Sequence, residues 1–223
     1  MSAPDWWVKP RNVSIVVDNP SWVEPYGLEL ANTLSSGGDH VRFCHDYGDV
    51  LSGGIAFYLG CVKLSPPEIL ALNHRNLIVH ESALPLGRGF SPLTWQVLEG
   101  KNEIPICLLE ATEEADAGAI IYRDKCTFQG NELIDEMRCA QGKATVALCM
   151  RFMNEDVLPQ GQEQSGHATF YTRRCPENSR LDTERTISDQ FNLLRTVDNE
   201  RYPAFFDYQG CRYQLTIKKV DSD

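Results

Sequence analysis

Short apolar runs that alternate with helical spacing are the feature that most restricts what this chain can fold into. Asn12-Val-Ser-Ile-Val-Val-Asp18 is rich in β-branched residues and reads as a buried strand, and Val23 to Ser35 follows with apolar residues at helical spacing. Gly37-Gly38 ends that helix. His40 to Cys44 and Gly53 to Leu59 predict two further strands, and Pro66-Pro67 opens a short helix whose first turn tolerates proline. Asn76 to His80 predicts the next strand. Ser91-Pro92 to Glu99 predicts a helix with Ser91 as its N-cap and Gly100 at its end, and Ile104 to Glu110 another strand. The order is that of an α/β protein with a central, mostly parallel sheet.

The pattern changes after Tyr122. A long helix is expected from Asn131 to about Asn154, then a polar surface loop, Gln160-Gly-Gln-Glu-Gln-Ser-Gly166. A helix from Asp182 to Arg195 and a hairpin over Ala204 to Lys219, turning at Gln209-Gly210, complete the chain. We therefore expect a main domain over 1–155 and a small C-terminal α+β appendage over 156–223. A chain of 223 residues has room for one such core but not for two large ones.

Composition narrows the function classes. The formal charge is −10, which disfavours a large polyanionic partner, because nucleic-acid affinity comes mostly from basic surface neutralising phosphates. No apolar stretch approaches the roughly 18 residues needed to cross a bilayer, so no membrane partner is expected. The opening Met1-Ser-Ala-Pro-Asp-Trp6-Trp7 has neither a basic nor an apolar signal region, which makes a cytoplasmic location the expectation. The eight cysteines stand singly, several inside apolar runs, with no Cys-x-x-Cys pair; buried thiols are expected rather than disulfides or a metal site.

One stretch carries chemistry. His80 ends the apolar run Asn76-Leu-Ile-Val-His80, a turn containing Gly87 and Gly89 follows, and Asp116-Ala-Gly118 comes later. A histidine can take a proton from an attacking amine or give one to a leaving amine, and a carboxylate beside it orients the ring and stabilises its charged form. Strand ends in parallel sheets are where ligands bind, and His80 and the loop after Glu110 are both expected at such ends. On pattern alone, a structural role for the two residues stays open.

The order His80-x-Ser82-x-Leu84-Pro85, a glycine and arginine turn, Ser91-Pro92, a tryptophan-bearing helix ending in Gly100, and Asp116-x-Gly118 resembles the folate-dependent formyltransferases. The resemblance is strongest from Gly53 to Tyr122. It continues through Arg173-Arg174-x-Pro176-Glu177 and Leu194-Arg195 to Tyr202-Pro203-Ala204-Phe205-Phe206. It implies a Rossmann-like formyltransferase domain in which an acceptor amine attacks the formyl carbon of 10-formyltetrahydrofolate, with His80 and Asp116 at the catalytic positions. It also implies a cofactor site of mostly backbone contacts along Gly60, Cys61, Val62, Lys63 and Leu64 and along the loop from Glu110 to Asp116, including Glu114.

For the acceptor, the resemblance to nucleotide-sugar N-formyltransferases of the pseudaminic-acid type implies a nucleotide-linked 4-amino-4,6-dideoxy sugar, for surface or flagellin glycans. Methionyl-tRNA formyltransferases are expected to carry more length and basic surface. Another small amine, on a peptide synthetase or a glycinamide nucleotide, is the alternative acceptor, and a silent folate- or nucleotide-sugar-binding protein the alternative class. Asp18, Asn19 and Trp22, just past the first strand, are candidates for sugar contacts, with a core role equally open for Trp22. Arg173, Arg174 and above all Arg195 are candidates for the diphosphate, since guanidinium pairs with phosphate oxygens in a bidentate fork. The terminal hairpin offers an edge for a homodimer, or one capped within the chain.

The resemblance has one departure. The family places an asparagine oxyanion donor two residues before the histidine, and Ile78 stands there. Asn76 shares its strand face but lies about 6–7 Å further back. Either the His80 imidazolium, a backbone N–H or another side chain replaces the donor, or the local alignment is shifted, or catalysis is weak or absent; the survival of His80, Asp116 and the glycine turn favours the first.

Overall fold

The computed structural model describes residues 4–220; Met1 to Ala3, part of the stretch read above for a signal, and the last three residues lie outside the described residues. β1 (Asn12–Val16) is buried from Val13 onward, as expected of a β-branched run covered on both faces. α1 (Glu24–Ser36) starts with proline in its first turn and ends at Gly37. β2 (His40–Cys44), β3 (Ile55–Tyr58), the one-turn α2 (Pro67–Leu70) and β4 (Arg75–His80) follow, close to the expected bounds. Next come a two-residue strand β5 (Arg88–Gly89), α3 (Pro92–Leu98), β6 (Glu103–Glu110), β7 (Ile120–Thr127) and the long α4 (Ile134–Met153). At the N-terminus of α4 the Glu136 carboxylate accepts the otherwise unpaired Leu133 amide at 2.8 Å.

The main sheet has the order β2-β1-β3-β4-β6-β7. Its β1–β4 part is parallel, whereas β6 runs antiparallel to both β4 and β7. One face, with Val13, Ile15, Phe57, Leu77, Ile106 and Leu108, packs on Leu30 and Leu34 of α1 and Leu148 and Phe152 of α4. Fully burying each such side chain is worth about 1.5–3 kcal/mol, so this layer supplies most of the cohesion. The opposite face, with Val16, Ala56, Tyr58 and Ile78, meets Ile69 and Leu70 of α2.

Among the elements, one was not expected and two expectations need correction. β7 went unread because its exposed Arg123, Asp124 and Lys125 interrupt the apolar alternation, as suits a sheet edge. Ser91 stands at the N-cap of α3 but caps nothing with its side chain, because it sits at φ 50° in the left-handed region. The helix expected over Asp182 to Arg195 is confined to a 3-10 turn (Ser188–Gln190) and α5 (Phe191–Thr196). Before it, the Gln190 side chain accepts from the Asp182 amide at 2.6 Å and donates to the Asp182 carbonyl at 3.0 Å, so a side chain takes the hydrogen bonds that a helical turn would have made.

Beyond α4 the chain turns back onto the sheet. Arg75 donates to the Pro159 carbonyl at 2.9 Å, Gln162 bridges Ile120, and β8 (Phe170–Tyr171) pairs with β5. The hairpin forms as expected from β9 (Ala204–Tyr208) and β10 (Cys211–Leu215), with both turn residues at positive φ, the type I′ geometry that Gln209-Gly210 supplies. The free side of β9 is bridged by Arg180, which leaves β10, exposed at Tyr213, as the open edge of this hairpin among the described residues. All eight cysteines are free thiols; Cys175 and Cys211, expected to be buried, are exposed.

Candidate active site

His80 is the last residue of β4, and its ring lies under the turn that follows. Nε2 is 2.8 Å from the Gly87 carbonyl, an acceptor only, so Nε2 carries a proton and Nδ1 is the nitrogen left to act. Nδ1 is 3.3 Å from Asp116 Oδ1, with the two side chains only 7% and 13% exposed. The pair expected from the sequence is therefore brought together.

The route to Asp116 differs from expectation. Because β6 is antiparallel to β4, Glu110 lies opposite Leu77 and the Ala111 amide donates to Asn76 at 2.7 Å, so the loop leaves the sheet toward the start of β4. It then doubles back, which brings Asp116 to the far end of that strand. Asp116 holds φ 54°, uncommon for a side chain other than glycine. The conformation is held from two sides: the Gly89 amide donates to Oδ2 at 2.8 Å, and Gln164 Nε2 donates to the Asp116 carbonyl at 2.7 Å and the Gly118 carbonyl at 2.9 Å.

Gln164 belongs to the segment read as a surface loop. Its Oε1 accepts from Arg88 at 2.9 Å, and Arg88 also pairs with Glu114 at 2.7 Å. Thr169 accepts the Gly87 amide at 2.8 Å, and β8 then seats Tyr171 against Gly89. Gly89 has φ 99°, and a Cβ there would lie 2.5 Å from the Tyr171 carbonyl, so no other residue fits. Residues 164–171 thus clamp both the histidine turn and the aspartate loop. Only the glutamine-rich composition hinted at this, and it names no partner.

A cavity of about 470 Å³ opens over His80 and Asp116. Gly60, Cys61, Val62, Lys63, Leu64 and Glu114 line it, as does Trp22, which also packs on the main core. Burial, and next the charge of Asp18, push the Cys61 thiol up to about 12, so it is no nucleophile at neutral pH. Asp18 and Asn19 do not line the cavity. The Asp18 carboxylate accepts from the Val62 and Lys63 amides, both at 2.9 Å, and Asn19 donates to the Gly60 carbonyl at 3.0 Å. They build the lip of the cavity, which engages the Asp18 carboxylate and the Asn19 amide nitrogen.

The arginines separate in the same way. Arg195 is fully buried, with Nη2 donating to Asn102 at 2.5 Å and Nη1 3.5 Å from Glu132, which removes it from any diphosphate. Arg174 is tied to the Thr196 and Asn178 carbonyls. Arg173 lies over the ring of Phe90, 5.8 Å from its centre, and Phe90 lines the cavity, so of the three it alone reaches the site's rim.

Ile78 lines the cavity on the His80 face of β4. Asn76 does not substitute for the family asparagine: it accepts from Tyr58 at 3.0 Å and donates to the Leu70 carbonyl at 2.8 Å. A group missed in the sequence reading also faces the cavity. Glu81, directly after His80, lies against Gln141 of α4, and burial raises its carboxyl above the ordinary value, against the lowering pull of His80. A charged residue straight after an apolar strand was the available signal. Among the described residues no group of three His, Cys, Asp or Glu is placed to hold a metal ion, and no helix is long and apolar enough to cross a membrane.

Comparison with known proteins agrees with this architecture. The methionyl-tRNA formyltransferase from Clostridium thermocellum superposes with a TM-score of 0.78 at 19% identity, over 94% of this chain and 93% of that one. A sugar N-formyltransferase from a Shewanella species gives 0.70 at 13% identity, over 95% and 99%. HypX from Aquifex aeolicus, solved in complex with tetrahydrofolic acid, gives 0.67 at 13% identity, over 90% of this chain and 36% of that one. These likenesses establish the Rossmann-like formyltransferase fold. The family model described as formyl transferase matches residues 46–153, the stretch that carries His80 and Asp116, and this is the family that the sequence resembles.

Proposed function

We propose that the protein is a folate-dependent N-formyltransferase that moves the formyl group of 10-formyltetrahydrofolate onto the amine of a nucleotide-linked amino sugar of the 4-amino-4,6-dideoxy type, for cytoplasmic steps of surface or flagellin glycan synthesis. The observation that carries this reading is the His80–Asp116 pair, 3.3 Å apart in the lining of a cavity and within the stretch that the formyl transferase family model matches. The cavity is of a size for a folate ring system, and the exposed Val62 and Leu64 on its lip offer apolar surface to a flat heterocycle. Bound there, the folate supplies the formyl carbon.

The chain's own part is proton handling. With Nε2–H held by the Gly87 carbonyl, His80 Nδ1 takes a proton from the attacking amine, and the Asp116 carboxylate stabilises the imidazolium that results. That proton then passes to the leaving nitrogen. Asp18, Asn19, Val62 and Lys63 fix the lip before any ligand arrives, which saves ordering cost on binding. The catalytic unit in this reading exceeds residues 1–155, because Gln164 and Thr169 complete it.

Charge supports a small acceptor over tRNA, at −10 for the chain. Length does not separate the two, because this chain covers 93% of the Clostridium enzyme's chain. Ile78, with Asn76 engaged elsewhere, favours one second reading, a silent folate- or nucleotide-sugar-binding protein.

The test incubates the protein with 10-formyltetrahydrofolate and a panel of UDP-, dTDP-, GDP- and CMP-linked amino sugars, and follows the mass gain of one formyl group. Transfer to one of them, reduced at least about 100-fold in His80→Ala and Asp116→Ala, is the expected result. Folate binding without transfer to any amine supports the second reading, and full activity in His80→Ala overturns the mechanism.

A further inference from the structure

The cavity holds three carboxylates, and two have partners. Glu114 pairs with Arg88, and Asp116 faces His80 and the Gly89 amide. Glu81 has no ion-pair partner among the described residues, although it lines the same space. The Gln141 side chain of α4 hydrogen-bonds it but cannot neutralise it, and the one other lining cation besides His80 is Lys63, on the lip. A half-buried carboxylate without a cation is a costly arrangement unless a ligand supplies the charge or the group takes up a proton. The raised carboxyl of Glu81 agrees with that geometry.

We propose that Glu81 is the residue that receives the acceptor, binding its amine as the ammonium ion and taking the proton that must leave before nitrogen can attack. This rests on the formyl-transfer reading, and it adds the form in which the acceptor enters. The step balances. The carboxylate of Glu81 and the ammonium give the carboxylic acid and a free amine, whose lone pair forms the new N–C bond to the formyl carbon. The second amine proton goes to His80 Nδ1 and from there to the folate nitrogen as its bond to that carbon breaks, and Glu81 returns its proton to solvent. His80 ends β4 and Glu81 comes directly after it, and both line the one cavity, so both proton acceptors face a ligand bound there. The recognised class of acceptor is therefore a primary amine basic enough to be charged at neutral pH, as on an amino sugar, rather than an aromatic amine or an amide.

Two measurements on the full chain separate this proposal from the reading beneath it. In the first, protein labelled with carbon-13 at the glutamate carboxyls is titrated with cyclohexylammonium or with cyclohexanol, and the Glu81 signal is identified by its loss in Glu81→Gln. A saturable shift of that signal with the ammonium and none with the alcohol is expected; an equal response to both, or none to either, overturns the proposal whatever the protein's reaction. In the second, a dTDP-linked 4-amino-4,6-dideoxy sugar is the acceptor. Glu81→Gln, which keeps the shape of the side chain, is expected to raise the acceptor KM roughly 10- to 100-fold while the half-saturating concentration of 10-formyltetrahydrofolate stays as it was. An unchanged acceptor KM overturns the proposal. If the wild type formylates no amine at all, the formyl-transfer reading falls, and the titration still decides whether Glu81 binds an ammonium ion.

Discussion

The side-chain amide of Gln164 donates to the main-chain carbonyl of Asp116 at 2.7 Å, across 48 residues of sequence, and so holds an aspartate in a left-handed conformation that it would not favour alone. The placement of Asp116 beside His80, the pair proposed for catalysis, depends on a glutamine with no chemistry of its own. Gln164→Ala removes the donor to both the Asp116 and Gly118 carbonyls and an acceptor from Arg88. We expect formyl transfer to fall by roughly 10-fold, from loss of hydrogen bonds worth about 1–2 kcal/mol, with little change in folate affinity. Steady-state kinetics and a folate titration check both; unaltered turnover would show that Asp116 keeps its conformation unaided.

Arg195 gives a test of opposite sign for ligand binding. Its guanidinium is buried, and its Nε and Nη1 atoms have no hydrogen-bond partner. Arg195→Ala should cost about 3 kcal/mol of unfolding free energy through a cavity and an abandoned Asn102 oxygen. Arg195→Met should cost much less, because the stem's volume is kept and the charge need not be desolvated. Denaturant melts measure the difference, and neither change should alter affinity for a nucleotide diphosphate. Weakened diphosphate binding with stability intact would return Arg195 to the ligand.

Ile78 tests how the oxyanion is held. The side chain lines the cavity on the same strand face as His80, so Ile78→Asn presents an amide there. If Gln141, a backbone amide or the His80 imidazolium already serves, turnover stays level or falls, which is our expectation. A rise of about 100-fold in kcat would instead mean that the site lacks a donor of the kind worth about 3–4 kcal/mol elsewhere.

The raised Glu81 carboxyl predicts a pH signature in stability. A carboxyl whose folded value lies above its ordinary 4.5 favours the protonated native state; the stabilisation is complete below 4.5 and is lost as pH rises through the folded value. The charged groups facing it are His80, which lowers its value, and Asp116, which raises it. Wild type and Glu81→Gln should therefore melt together in acid, with the variant gaining in Tm over wild type as pH increases to 8. Parallel curves across that range would mean that Glu81 titrates as if in water.

What could be read in the sequence follows what the residues themselves determine. β1 to β4 were legible because strands buried on both faces must be continuous apolar runs, and Gln209-Gly210 was legible because its turn demands positive φ. β7 hid behind charges that suit a solvated edge, and the segment before α5 hid behind a side-chain clip by Gln190. His80 and Asp116 stood out through their surrounding motif. Gln164 and Glu81 did not, because their meaning arises from contacts made only after folding. The direction of β6 was equally silent, since an apolar run carries no sign of which neighbour it will oppose.

The clamp over residues 164–171 has a bearing on how the protein comes into being. The strands of the main sheet and α4 are complete by Met153, whereas the residues that hold Asp116 in place are synthesised later. On the ribosome, a chain emerging in order presents the elements of its core before the residues that align His80 and Asp116. Changes in the length of the 154–163 connection would act on that alignment and on the sheet together, because Pro159 and Gln162 within it bond Arg75 and Ile120.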